Sequence, residues 1–283
     1  MATSRTSLWT EYKSARELTL NLTLRELKGK YKRSLLGWTW SLLNPLATIA
    51  IFAIVFKYFL KIQPPPGDPS GLKNFALFLV AALLPWNYLN NGLMGSMGAL
   101  VGNANLVKKV YFPREALVVS NIASWVYSLL IEFAVATAIY LLFGNMVLPW
   151  LPVVVILIAI QSILVLGLGL LLSVLNVYFR DVQHLITILL LVWFYATPVV
   201  YPISYVVQAD NSKPELFGHV IPVLFLYKLN PMVRLVEAYR NALYDLKFPS
   251  VFDVTYVLVC GLIALAVGLW AFRRLHGRLA EEL

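Results

Sequence analysis

Of the 283 residues, 60% are hydrophobic and 13% are charged, about half the charged content of a soluble globular domain, so most of this chain has lipid as its solvent. The net charge of +9 is informative by position, because basic residues in short loops orient a membrane protein and their sum does not. The single cysteine, Cys260 in an apolar run, excludes an internal disulfide and a cysteine metal cage, and the polar N-terminus lacks the pattern of a cleaved secretory signal.

Residues 1–40 are expected to form a cytosolic N-terminal segment that ends in an amphipathic helix lying in the membrane interface. In the run from Thr23 to Pro45, Leu24, Leu27, Tyr31 and Leu35 recur at helical spacing and form an apolar face, with Arg25, Lys28, Lys32 and Arg33 directed elsewhere. Thr23 and Glu26 fit a capping box, and Ser14 with Glu17 offers a second. Trp38 and Trp40 stand where the chain turns from headgroups into hydrocarbon, the depth that suits an indole ring.

An all-α integral membrane domain is expected over residues 41–275, with six spans at about 41–60, 74–101, 117–143, 149–177, 185–200 and 252–272, each near or above the ~20 residues a bilayer requires. The connection from Gln63 to Gly71, QPPPGDPSG, is too rich in proline for helix or strand. The second span changes character midway, where Pro85, Asn87, Asn90 and Asn91 precede a run of glycines. Side-chain amides face acyl chains only at high cost, so these either line a wet conduit or bond across a helix interface. The stretch from Asn105 to Ala116 reads as a short basic loop. Glu132 is the carboxylate deep in an apolar run, either a functional group or one bonded to a neighbouring helix. Gly167 and Gly169 are close-packing positions, and Arg180 with Asp181 marks a water-facing turn. Residues 204–250 are too charged to span and are broken by Pro222 and Pro231, which suits short helices at the membrane surface or dipping part-way into it. Residues 276–283 form a tail.

Six spans put both termini on one side. The termini with the loops at Lys108 and Arg180 hold fifteen of the 23 Lys and Arg, so both termini are expected in the cytoplasm and the protein in the cytoplasmic (inner) membrane.

Gly29-Lys30 lacks the earlier glycine and the hydroxyl of a phosphate-binding loop, so nucleotide hydrolysis is not expected here. His184, His219 and His276 fall in separate segments without metal-ligand spacing, and no metal is expected. The acids are scattered, which argues against a metal-dependent glycosyltransferase. Trp86, Tyr88, Trp193, Phe194, Tyr195, Tyr201 and Tyr205 cluster near the membrane faces. With Asn87, Asn90 and Asn91 they suit a sliding carbohydrate, since rings cover sugar C–H groups and amides exchange hydrogen bonds with hydroxyls. An anchoring aromatic belt is the alternative.

GWTWSLLNP (Gly37 to Pro45), LPWNYLNN (Leu84 to Asn91), NANLVKKVYFPRE (Asn103 to Glu115), NVYFRDVQH (Asn176 to His184), TPVVYP (Thr197 to Pro202) and LNPM (Leu229 to Met232) resemble, in this order, the membrane subunit of polysaccharide ABC exporters of the ABC-2 type. These are the O-antigen, teichoic-acid and galactan permeases, and the resemblance covers about residues 20–275. It implies a homodimer of six-span subunits joined by two copies of a separate ATPase, which would bind ATP and Mg; no cofactor is implied for this chain, and nucleic acid is not a partner. The stretch Lys108, Lys109, Val110, Tyr111, Phe112, Pro113, Arg114 and Glu115 would contact the ATPase, and the region after Tyr201 would form gate helices on the outer side. The substrate would be a polyprenyl-linked polysaccharide whose pyrophosphate needs cations, for which Arg25, Lys28, Lys30, Lys32 and Arg33 are available, although the same charges suit anionic lipid headgroups. Two rivals stand beside this: an ABC-2 exporter of a drug or lipid, and a proton-coupled carrier using Glu132.

Overall fold

The computed structural model describes residues 8–30, 39–55, 59, 64–110, 112–212, 215–216, 219–220, 222–275 and 279–282. Among these the chain is almost wholly helical, with one two-residue antiparallel ladder pairing Glu215–Leu216 with His219–Val220.

Helix α1 runs from Leu8 to Lys30, so it does not begin at a Thr23 cap. No Gly or Pro interrupts residues 8–23, and inside the helix the Thr23 hydroxyl donates back to Thr19 O at 2.7 Å. Leu22 and Leu27 are buried against the bundle, and Leu24 is 51% exposed. Tyr31, Lys32, Arg33, Leu35 and Trp38 lie outside the described residues, as do Lys57, Tyr111 and His276.

Helix α2 covers Trp40–Ile54 and α3 Phe75–Val101, the latter opened by Asn74, whose side chain accepts from Ala76 N at 3.0 Å. A short helix α4, Ala104–Lys109, occupies what reads in sequence as loop, and α5 follows as Glu115–Leu142. One 3₁₀ turn, Leu148–Trp150, leads into α6, Leu151–Tyr178. Helix α7, Val182–Tyr195, has 14 residues and stops short of Val200, because the Thr197 hydroxyl turns back to Trp193 O at 2.8 Å and Pro198 lacks a backbone donor. Then come α8 (Ser204–Asn211), strands β1 and β2 of the ladder, α9 (Val223–Leu229), α10 (Pro231–Arg240), a π turn over Asn241–Asp245, α11 (Val251–Leu275) and α12 (Leu279–Glu282).

Three stretches among the described residues are long and apolar enough to cross a membrane: Glu115–Leu142, Leu148–Tyr178 and Val251–Leu275. Helix α6 is the centre of the bundle, touching α3, α5 and α11. Its approach to α11 is backbone on backbone: a Cβ on Gly268 would stand 2.1 Å from Gly167 O, and one on Gly167 would stand 2.3 Å from the Ala264 carbonyl carbon. Only glycine permits that distance. Asn176 Nδ2 donates to Met97 O at 2.9 Å and Tyr178 Oη to Leu275 O at 3.0 Å, which gathers the C-terminal ends of α3, α6 and α11 at one end of the bundle. The other end carries the 64–73 connection and the segment from Ala196 to Ser250. There α10 packs inside the bundle. Met232, Val233, Leu235, Val236, Ala238, Tyr239 and Arg240 are all buried, with α3, α6 and α11 packed around them.

Candidate conduit and coupling surface

At the end that gathers the C-termini of α3, α6 and α11, Asn103 precedes α4 and acts as a clasp. Its Oδ1 accepts from Arg25 Nη2 at 2.6 Å and its Nδ2 donates to Ala99 O at 2.9 Å, tying α1, α3 and α4 together. Val107 is the buried foot of α4, while Lys108, Lys109, Val110 and Pro113 are exposed. Phe112, Arg114 and Glu115 are half-buried where α5 begins. Arg180 and Asp181 form an exposed turn between α6 and α7. This end thus presents a basic turn of helix on a braced, proline-containing support.

Of the cations available for a pyrophosphate, the three described ones, Arg25, Lys28 and Lys30, have different surroundings. Arg25 borders a cavity of about 360 Å³ between α1, α3 and α5, whose lining includes Glu26, Gly95, Gly98, Asn103 and Asn121. Asn121 is 9% exposed, and its Oδ1 has no hydrogen-bond partner among the described residues. Lys28 is exposed. Lys30 folds inward instead, with Nζ 3.2 Å above the Trp125 ring and donating to Ser128 Oγ at 3.3 Å. Burial pulls its ammonium down to about 7, against the opposing pull of Glu132 and Glu26. Glu132 itself is half-buried and borders a small apolar cavity of about 30 Å³ with Leu46, Ile49, Leu77 and Val80.

At the opposite end most of the predicted aromatics meet. Trp86 packs edge-on against Trp193 at 6.1 Å and Phe194 at 5.4 Å, and Phe194 does the same with Tyr195 at 5.2 Å. Tyr201 Oη donates to Tyr195 O at 2.6 Å and also meets the Tyr227 hydroxyl. Tyr88 does not join them. It is 2% exposed, turned toward α6, and donates to Ser162 Oγ at 2.9 Å. Asn87 and Asn91, one turn apart, are half-buried and continue through Met94 to exposed Gly98 as the least covered stripe of α3, and Asn90 is half-buried beside it.

Two residues of this cluster were not singled out from sequence. Tyr227 carried no signal in a mixed segment. Asn230 did, since Asn followed by Pro is a strong helix start. It caps α10 by accepting from Met232 N at 2.9 Å, accepts from Trp193 Nε1 at 2.8 Å, and donates to Ala196 O at 3.1 Å and Thr197 Oγ1 at 3.0 Å. One amide therefore locks the end of α7 to the start of α10. No group of three or more His, Cys, Asp or Glu able to hold a metal occurs among the described residues.

Residues 17–211 match the family model described as ABC-2 type transporter. The chain is 31% identical over 271 residues to the O-antigen export system permease protein RfbA of Myxococcus xanthus, covering 94% of each protein. It is 29% identical over 272 residues to the protein of the same name from Klebsiella pneumoniae, covering 94% of this chain and 95% of that one. It is also 25% identical over 269 residues to the polysialic acid transport protein KpsM of Escherichia coli, at 89% and 91% coverage. With a helical bundle built for lipid, a family match over well over half its length and relatives aligned almost end to end, this chain is a membrane protein of the ABC-2 type transporter family.

Proposed function

We propose that this chain is the membrane permease of an ATP-driven exporter that carries a polyprenyl-pyrophosphate-linked polysaccharide, of the O-antigen, teichoic-acid or galactan type, out across the cytoplasmic membrane. The observation that carries the proposal is the near full-length agreement with relatives named as O-antigen export permeases. The arrangement is chemically suited to it. A stripe of amides and small residues on α3 leads from the Arg25 cavity toward a cluster of aromatic rings, which offers hydrogen bonds and flat apolar faces to a sugar chain without a tight pocket that would hold it. The half-buried α3 stripe becomes a closed conduit if two copies face each other, so the working unit is a homodimer of six-span subunits with both termini cytoplasmic.

Two copies of a separate ATPase supply the work and hold ATP and Mg. Exposed Lys108 and Lys109 on α4 offer the contact, and the Asn103–Arg25 clasp passes its movement to α1. Arg25 at the cavity mouth, with exposed Lys28 nearby on the same helix, suits the pyrophosphate end of the substrate. The test is deletion of the gene in its host, followed by complementation and staining of surface polysaccharide. Loss of the polymer on deletion, restored by the chain only together with a co-purifying ATPase, supports the proposal. Unaltered surface polysaccharide, or transport by the chain alone, overturns it.

A further inference from the structure

Gly95, Gly98 and Gly102 of α3 all border the Arg25 cavity, and two of them have a packing reason to be glycine. A Cβ on Gly95 would stand 2.5 Å from Asn121 Oδ1, and one on Gly102 would stand 3.0 Å from Gly98 O. Gly98 has no such reason. A Cβ there would meet nothing within 4 Å, and the position lies inside α3, which runs on to Val101. Glycine within a helix costs about 1 kcal/mol relative to alanine, so neither the helix nor the neighbours account for the bare backbone. What it preserves is open space.

That space lies where two surfaces meet. Gly98 borders the cavity of about 360 Å³ together with Arg25 and Asn121, and at helical spacing it also ends the stripe of Asn87, Asn91 and Met94. Met97 and Ala99 on either side of it are buried. Gly98 is thus the residue that cavity and stripe share, and the way from one to the other runs over its backbone. The cavity is built for a polar occupant. Asn121 of α5 is 9% exposed, its amide lies against Gly95 on the cavity wall, and its Oδ1 has no partner among the described residues. We infer that Gly98 is a size-determining position: the phosphate-linked head of the substrate passes over it from the Arg25 cavity to the stripe, an inference that rests on the polysaccharide-export proposal for its substrate class. Gly98 offers the passing head no side-chain contact. It sets the width of the crossing without adding affinity that would slow the head there, and bulk placed on it closes the crossing while the packing beneath stays as it is.

The test adds that bulk after folding. In a Cys260→Ala background, Gly98→Cys introduces one small thiol, and inverted membrane vesicles holding the full chain with its co-expressed ATPase are treated with methylthiosulfonates of increasing size. ATP-dependent uptake of the lipid-linked polymer and ATP hydrolysis are measured in the same vesicles. The expected result is labelling of the thiol, uptake that falls stepwise with reagent size to about tenfold below the unlabelled level, unchanged hydrolysis, and recovery of uptake on reduction. A thiol that does not label, uptake unchanged after the largest reagent, or hydrolysis lost together with uptake overturns the assignment of Gly98. The untreated parent chain separates the two proposals. ATP-dependent uptake by the parent that also survives labelling at position 98 removes the role of Gly98 alone, whereas no ATP-dependent uptake by the parent removes the exporter and this role with it.

Discussion

The Tyr239 hydroxyl on α10 donates to Gln161 Oε1 on α6 at 3.0 Å, and the same amide donates from Nε2 to Pro85 O on α3 at 2.7 Å. Three helices are thus joined by one side chain that is 0% exposed. The Gln161 amide thus reaches the backbone of α3 at its one internal proline, adding a bond from a neighbouring helix at that point. Tyr239 is further held by stacking on Phe133 of α5, with ring centroids 5.6 Å apart.

Gln161→Leu should therefore be more damaging than its apolar character suggests. It leaves the Tyr239 hydroxyl and the Pro85 carbonyl buried without this partner, at a cost of roughly 1–3 kcal/mol. Tyr239→Phe removes one hydrogen bond and leaves Gln161 Nε2 in place, so it should cost less. Thermal aggregation followed by size-exclusion chromatography should rank parent, Tyr239→Phe and Gln161→Leu in falling order of stability.

The distribution of these contacts explains what was readable beforehand. The helix starts at Asn74 and Asn230 and the glycine contact of α6 follow from local chemistry that a sequence displays openly. Tyr88 lies apart from the other rings because consecutive helical residues differ by about 100°, so the residue next to Asn87 points to α6 while Asn87 lies on the least covered stripe. In sequence Arg234, Glu237 and Arg240 make α10 look expensive to cover. Two of those charges cancel each other, and Arg234 meets Asp253 of α11, 19 residues further on. Pairing across that distance leaves no periodic trace. The Thr23 capping pattern was genuine as a pattern but had uninterrupted helix in front of it.

Gly268 and Gly98 should respond in opposite ways to alanine. At Gly268 the new Cβ meets Gly167 O at 2.1 Å, so α6 and α11 must separate and lose contacts along their shared length. At Gly98 the Cβ meets nothing within 4 Å, and alanine favours a helix interior by about 1 kcal/mol. Gly268→Ala should give poorly dispersed, heat-labile protein, and Gly98→Ala protein at least as stable as the parent. Equal stability for the two would contradict the close α6–α11 approach.

Lys30 should titrate near neutrality. Burial beside Trp125 lowers its ammonium to about 7, below the ordinary lysine range, and Glu132 and Glu26 limit the drop. The sign follows: between about 7 and 10.5 the folded chain holds fewer protons at this position than the unfolded one, so the Lys30 contribution to stability rises with pH through that window. Glu132→Gln removes an opposing charge and should move the transition lower still. The ¹³C shift of dimethylated Lys30, read against pH in parent and Glu132→Gln protein, measures both effects. A transition in the ordinary lysine range would refute the inward placement of this side chain.

On the proposed function, attachment and transmission are separable by mutation at the α4 end. Lys108 and Lys109 project from the last turn of a short helix whose foot, Val107, is buried, so reversing both charges alters the presented surface without disturbing the packing beneath. Lys108→Glu with Lys109→Glu should abolish co-purification of the ATPase while the permease still elutes normally. Asn103→Ala has a different consequence. It removes the acceptor for Arg25 at 2.6 Å and the donor to Ala99 O, freeing α1 from α4 while leaving the exposed lysines in place. The ATPase should still co-purify and hydrolyse ATP, but surface polysaccharide should fall severalfold, because movement at α4 no longer reaches α1 and the cavity beside Arg25. If Asn103→Ala instead lost the ATPase together with export, the clasp would belong to the docking surface itself, and transmission would run through Pro113 and Glu115 into α5.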